Sequence, residues 1–296
     1  MKKLLFIYNA RSGKTNVRRN LADVIDTFIK SGYRVEAYQT QKPEDATEQV
    51  SQRGDEFDLI VCCGGDGTLN ETINGLMQLP ERPPLGYIPA GSTNDFACSI
   101  KLPKNMINAA KVAAVGRNTN IDIGNFNNKH FVYVAGFGAF TDVSYQTPQE
   151  LKNFLGHSAY MIEAVKKIPT LKSHKIRCEF DNCILDGEFL YGMVSNSSSV
   201  GGIKGITGKD VSLCDGMFEV TFVKPPKNII DLQTIITELL SGGDKSDSVI
   251  RFKTHKLTVT SDEEIAWVLD GECGGNYKKT VITNNPGAIT IKANKK

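Results

Sequence analysis

The run from Asp58 to Cys63 (DLIVCC) passes straight into GGDGTLNE, and this junction constrains the fold more than any other stretch. A short continuous apolar run suits a strand covered on both faces, as in a parallel sheet. Parallel strands need long crossovers, usually helices, and the flanking sequence supplies them. Lys3 to Tyr8 reads as a buried strand. Asn16 to Ser31 carries Val17, Leu21, Val24, Ile25, Phe28 and Ile29 at the helical period, with Gly32 as its stop. Tyr33 to Gln39 alternates like a strand, and Pro43 to Arg53 reads as a helix with Pro43 tolerated in its first turn. Leu85 to Ile88 is a further strand, and Asn105 to Val115 a further helix. Strands alternating with helices predict an open parallel α/β sheet with right-handed crossovers.

After about Gly116 the texture changes. HFVYVAGFGAF, HKIRCEF, CILDGEFLYGMVS, MFEVTFV, HKLTVT and IAWVLD are all strand-like, interrupted by helical patterns around Glu150 to Ile168 and Asn228 to Leu240. The expected organisation is α/β plus all-β. Residues 1–120 are expected to form an open parallel α/β domain, with the tail 286–296 a candidate to return to it. Residues 121–285 form an antiparallel β-sandwich. A cleft between two such domains is a common place for a ligand.

Bulk properties exclude several classes. Net charge is +2 over 296 residues and the basic residues are scattered, so no nucleic-acid partner is expected. No stretch approaches a membrane-spanning helix, and the apolar run after Met1 is too short for a signal-peptide core. Seven cysteines without C-x-x-C spacing point to a reducing, cytoplasmic setting. The four histidines show no metal-ligand spacing.

Two stretches invite a phosphate. YNARSGKT ends like a P-loop at Gly13, Lys14 and Thr15, but Tyr8 stands where that motif needs its first glycine. CGGDGTLNE is the stronger one. Gly64, Gly65 and Gly67 allow tight turns and close approach of amides to phosphate oxygens, and a helix starting near Thr68 adds its N-terminal partial charge. Asp66 would be badly placed against phosphate unless a divalent cation lay between them. PAGSTNDFA repeats the strand–turn–helix scheme, offering Gly91, the hydroxyls of Ser92 and Thr93, and the Asp95 carboxylate.

GGDGTLNE, then GSTND, then LDGE near the C-terminus resemble the diacylglycerol kinase catalytic family, above all its soluble bacterial lipid-kinase members. Sphingosine, ceramide and NAD kinases are related. The resemblance covers nearly the whole chain. It implies ATP as phosphate donor, Mg²⁺, and a membrane lipid alcohol such as diacylglycerol as acceptor. It implies peripheral membrane contact from the cytoplasm, and it leaves a homodimer open. It further implies nucleotide contacts from Asn9, Ala10, Arg11, Ser12 and Gly13, where Ala10 replaces the usual proline. Thr40, Gly64, Gly65, Asp66, Gly67, Thr68, Asn70, Glu71, Thr93 and Asp95 complete that set.

WVLDGE places Asp270 and Glu272 after an apolar strand. From the tetrapeptide alone a hairpin turn is expected, with Asp270 presented at its tip. By resemblance Asp270 accepts the lipid hydroxyl proton, with Glu272 a close second or a supporting charge. The D-G turn of SLCDGMFEV is by itself a hairpin. By resemblance it holds Mg²⁺ through the Asp215 carboxylate and the carbonyls of Ser212 and Met217, and Asp122 matches a family aspartate of the metal-bound water network; Asp66 and Asp95 are the metal candidates of a shared nucleotide and metal site at the two glycine turns. The rival readings are a kinase of NAD and a non-catalytic nucleotide or lipid sensor.

Overall fold

A computed structural model describes residues 1–12, 17–139, 172–204, 206–208, 210–243 and 246–294. The helical pattern expected around Glu150 to Ile168 lies outside the described residues, as do Gly13, Lys14 and Thr15. The chain divides into two compact units, Met1–Ile123 with Pro286–Lys296, and Gly124–Asn285.

The first unit is built on β1 (Lys2–Tyr8), β2 (Tyr33–Gln39), β3 (Leu59–Gly64) and β4 (Leu85–Pro89). These pair in parallel in the order β4-β3-β1-β2. The helices are α1 (Val17–Lys30), α2 (Asp45–Arg53), α3 (Asp66–Met77), α4 (Asp95–Ser99) and α5 (Met106–Val115). Every residue of β3 is buried, as its unbroken apolar run requires. On α1, Val17, Val24 and Phe28 face the core, with Phe28 edge-on to Phe6 at 5.4 Å. Ile29, which shares their periodicity, is 57% exposed. Helix α5 lies flat on β4 because the contact is made of small residues: a Cβ on Gly86 would stand 2.7 Å from that of Ala113. The chain leaves this unit within β5 (Arg117–Phe126) and returns within its last strand, where Ile291 pairs in parallel with Leu85.

The second unit is antiparallel. Its strands are β6 (Lys129–Phe131), β7 (Val134–Gly138), β8 (His174–Phe180), β9 (Cys183–Phe189), β10 (Tyr191–Ser195), β11 (Ser199–Val200) and β12 (Ile203–Lys204). β13 (Phe218–Val223), β14 (Val249–Thr254), β15 (Lys256–Leu269) and β16 (Glu272–Ala293) follow, with helix α6 (Ile229–Ser241) after β13. Strand β15 changes partner midway. Leu257–Ser261 pairs with β8, and Trp267–Leu269 pairs with β7, across a register shift between Thr260 and Ile265. Such shifts let one strand serve two layers. Trp267 fills the bend, edge-on to Phe126 at 5.0 Å and to Phe137 at 4.9 Å.

Candidate active site

The first unit's strand order 2-1-3-4 reverses between β1 and β3, and ligands of open α/β sheets bind outside the carboxyl ends at that reversal. Three loops meet there. The first is held by Asn9, whose amide donates to the Cys63 carbonyl (2.9 Å). Its Oδ1 accepts from the Arg11 amide (2.9 Å), and its Nδ2 donates to Thr68 Oγ1 (3.4 Å). Ser12 closes the turn on the Asn9 carbonyl at 3.2 Å. Asn9 thus ties this loop both to itself and to β3 and Thr68. Arg11 is exposed, and Thr40 is tied back to β1 by its amide on the Tyr8 carbonyl (3.0 Å).

The second loop starts its helix earlier than expected. α3 begins at Asp66, not near Thr68, with Gly65 extended as N-cap (φ −86°, ψ −173°). Gly67 is thus a helical residue, and neither Gly64, Gly65 nor Gly67 has positive φ. These glycines do not make a left-handed turn; two of them create space. A Cβ on Gly64 would lie 2.5 Å from the Thr68 side chain, and one on Gly91 would lie 2.6 Å from the Gly65 Cα. Gly65 has no side chain to cap α3, so the Gly67 and Thr68 amides and the helix dipole are available to an anion.

The third loop takes its left-handed residue from Asn94 (φ 53°) rather than a glycine. Asn94 closes the turn on Gly91, accepting from its amide (2.9 Å) and donating to its carbonyl (2.8 Å). Tyr87 reaches both the Gly64 carbonyl (3.2 Å) and Asn94 Oδ1 (3.4 Å), joining the second and third loops. Sequence reasoning missed Asn94 and Tyr87; the S-T-N-D spacing was the available signal for the former. Asp66 Oδ2 accepts from the Asp95 amide (3.2 Å), so the starts of α3 and α4 are linked. Thr93 is half-buried, and Asp95 is buried. Asn70 bonds along its own helix to Asn74 (2.8 Å). Glu71 turns away from the three loops: Oε1 accepts from the Glu44 amide (3.0 Å) and Oε2 from that of Ala46 (3.3 Å). Asp122 is buried and accepts from the Gly287 amide (2.8 Å), tying the tail segment to β5.

A metal bound with a nucleotide needs only one or two carboxylates, because phosphates and waters complete its shell. Asp66, partly exposed at the start of α3, fits that requirement. Among the described residues no group of three or more His, Cys, Asp or Glu side chains could hold a metal by itself.

In the second unit, Asp270 and Gly271 form the two-residue turn joining β15 to β16, both with positive φ (50° and 87°). The hairpin is as expected, but the Asp270 carboxylate is not presented at its tip. It is buried and accepts three backbone N–H donors: Val132 (2.6 Å), Tyr133 (2.9 Å) and Val134 (3.0 Å). Glu272, two residues on, is exposed. At the D-G turn, Gly216 has φ 76° and Asp215 Oδ1 accepts from the Met217 amide (3.1 Å). Asp215 Oδ2 faces the Lys253 ammonium at 3.7 Å, and Ser212, earlier in the same loop, is half-buried. The turn thus already directs a carboxylate oxygen at a cation, and an oxygen donor set suits Mg²⁺. Lys253 also pairs with Glu219 Oε1 (3.0 Å); burial nevertheless pushes the Glu219 carboxyl up to about 7. Neither residue stood out in the sequence.

The parallel α/β unit, with three loops at its strand ends, and the antiparallel β unit that follows it in the chain are matched by the two-domain lipid-kinase class. The chain belongs to the diacylglycerol kinase family. Residues 3–126 match the diacylglycerol kinase catalytic domain, and residues 133–293 match the YegS C-terminal NAD kinase beta sandwich-like domain. It is 38% identical over 277 residues to a diacylglycerol kinase of Staphylococcus epidermidis, covering 93% of this chain and 87% of the relative. It is 36% identical over 278 residues to one of Bacillus subtilis, covering 93% and 91%. Two solved structures of putative diacylglycerol kinases from Bacillus anthracis superpose with TM-scores of 0.83 and 0.81, at 25% and 27% identity. Each covers 99% of this chain and 97% of its own. The chain is a lipid kinase.

Proposed function

We propose that this kinase transfers the γ-phosphate of ATP, with Mg²⁺, to the hydroxyl of diacylglycerol or a closely similar lipid alcohol. The observation that carries the reading is the convergence of the Asn9, Gly65 and Gly91 loops on the β1/β3 reversal, joined by the Asn9–Thr68 and Asp95–Asp66 hydrogen bonds. The uncapped amides of α3 bind phosphate oxygens, and the close approach of Gly65 to Gly91 lets backbone reach them. Magnesium, when bound, neutralises charge on the transferring phosphoryl group, and Asp66 would hold it. Phosphoryl transfer through a loose transition state asks little of the base. Three lone-pair positions of Asp270 are filled by amides, so the exposed Glu272 is the better acceptor of the hydroxyl proton, and Asp270 shapes the turn that carries it. The acceptor would be met at a membrane surface, and no helix among the described residues is long and apolar enough to cross one.

The test is transfer of labelled phosphate from ATP to a lipid panel in mixed micelles, with NAD as control. Phosphatidic acid formation that requires Mg²⁺ supports the reading. Efficient phosphorylation of NAD with no lipid product overturns it.

A further inference from the structure

Helix α2 starts without a cap of its own. Glu44 precedes it in the left-handed conformation (φ 63°, ψ 5°) and makes no side-chain cap hydrogen bond. Two backbone donors at its start are met instead from α3, by the two oxygens of Glu71 on the amides of Glu44 and Ala46. Thr47 Oγ1 then donates to the Glu71 carbonyl at 2.9 Å. The two helices touch closely enough that a Cβ on Gly75 would lie 2.6 Å from Val50 Cβ and 2.8 Å from the Thr47 carbonyl. From the same first turn of α2, Asp45 reaches back, accepting from the Tyr38 hydroxyl (2.9 Å) and the Gln41 amide (2.6 Å). An unbroken set of contacts therefore runs from the phosphate-loop helix, through Glu71 and Asp45, to the segment beginning at Thr40 where the chain leaves β2.

Strand β2 lies beside β1 on the side away from β3. Neighbouring strands are about 4.8 Å apart, so the ends of β3 and β2 are separated by about 10 Å. A nucleoside triphosphate is long enough to span that distance, so phosphates resting on α3 leave its nucleoside within reach of the end of β2. We infer that Glu71 is a positioning residue, which touches no nucleotide but fixes the Thr40–Asp45 segment against the phosphate-binding helix, so that both halves of the nucleotide are received at one spacing. This rests on the ATP reading above. It also reassigns Glu71, the last residue of GGDGTLNE, from ligand to strut. Partial burial raises the Glu71 carboxyl above its usual range despite its two amide donors, in keeping with a group enclosed by the fold.

The test uses the full chain and three variants, Glu71→Ala, Glu71→Gln and Thr47→Val, with steady-state kinetics, direct titration with a fluorescent ATP analogue and thermal melting. Glu71→Ala should raise KM for ATP and weaken analogue binding about tenfold, with kcat at saturating ATP changed less than about twofold and the KM for lipid unmoved. Glu71→Gln keeps one acceptor oxygen and should recover part of the affinity. Thr47→Val, which leaves the carboxylate in place, should show a smaller loss in the same direction even if Glu71→Ala fails to fold. A lowered melting temperature with unchanged analogue binding in any folded variant overturns the inference and leaves Glu71 a mere cap. A loss in kcat alone also overturns it, since that would place Glu71 at the reacting atoms. Failure of the wild-type chain to bind the analogue at all overturns the ATP reading itself, and this inference with it.

Discussion

Gly65 and Gly91 meet backbone to backbone: a Cβ on Gly91 would stand 2.6 Å from the Gly65 Cα, and one on Gly65 would stand 3.3 Å from the Gly91 Cα. The obstacle is main chain in both directions, so neither loop can yield by turning a rotamer. Gly91→Ala should separate the loops after β3 and β4 at a cost of about 1–3 kcal/mol. ATP affinity should fall more than stability does, because the amides of both loops move relative to the phosphates. Gly65→Ala, at the looser distance, should be milder. Wild-type nucleotide affinity in Gly91→Ala would show that the close approach serves folding only.

At the D-G turn, Lys253 holds the place of a positive charge beside Asp215 and Glu219. If Mg²⁺ binds Asp215, the ammonium competes with it. Lys253→Met should therefore lower the melting temperature in EDTA, by leaving Glu219 buried without its counter-charge, while enlarging the rise that Mg²⁺ produces. Asp215→Ala should abolish that rise. Equal Mg²⁺ responses in all three proteins would remove the metal from this turn.

The first unit was largely legible because its signals are local. The period of Val17, Val24 and Phe28 and the unbroken burial of Leu59 to Cys63 are written within single elements. The meaning of its glycines was not. A glycine signals either a special φ or a close neighbour, and the sequence does not show the neighbour: Gly65 faces Gly91, while Asn94 took the left-handed position. The roles of Glu71 and Asp270 were hidden for a related reason. Their partners are backbone amides, which every residue carries, at separations of 25 and 27 residues for Glu71 and up to 138 for Asp270. The strand-rich texture announced the second unit, but not the change of partner along β15, which depends on a local register shift.

His174 offers a pH test. It sits edge-on to Phe137 at 5.9 Å, and burial, reinforced by the charge of Lys172, holds its imidazole below the usual value. Glu263, which pairs with Lys172 at 2.9 Å, opposes that shift. A depressed folded value means the stabilising contribution is complete above the unfolded value of about 6.5 and is lost as pH falls through the folded one. Melting temperature should decline on acidification below that point, and His174→Phe should flatten part of the decline. The difference should be no more than about 2 °C, because water screens the exposed part of the ring. A steeper decline in the variant would reverse the sign and refute the argument.

Asp270 and Glu272 separate by what each loses. Asp270→Ala leaves the amides of Val132, Tyr133 and Val134 without the acceptor that now gathers them, and buried donors left unmet cost about 1–3 kcal/mol each. Asp270→Asn keeps one acceptor oxygen but sets an amide group against the remaining donors, so it too should melt earlier. Its activity should fall in step with the disturbed turn. Glu272→Gln removes no such contact from an exposed side chain, so its melting temperature should stay at the wild-type value. If Glu272 receives the lipid hydroxyl proton, kcat should nonetheless fall by about 10²–10⁴-fold, the usual range for a general base, with KM for ATP unchanged. A Glu272→Gln enzyme of near wild-type rate, beside an Asp270→Asn enzyme that folds normally and is inactive, would return the base to Asp270. The three amides would then have to release its carboxylate when substrate binds.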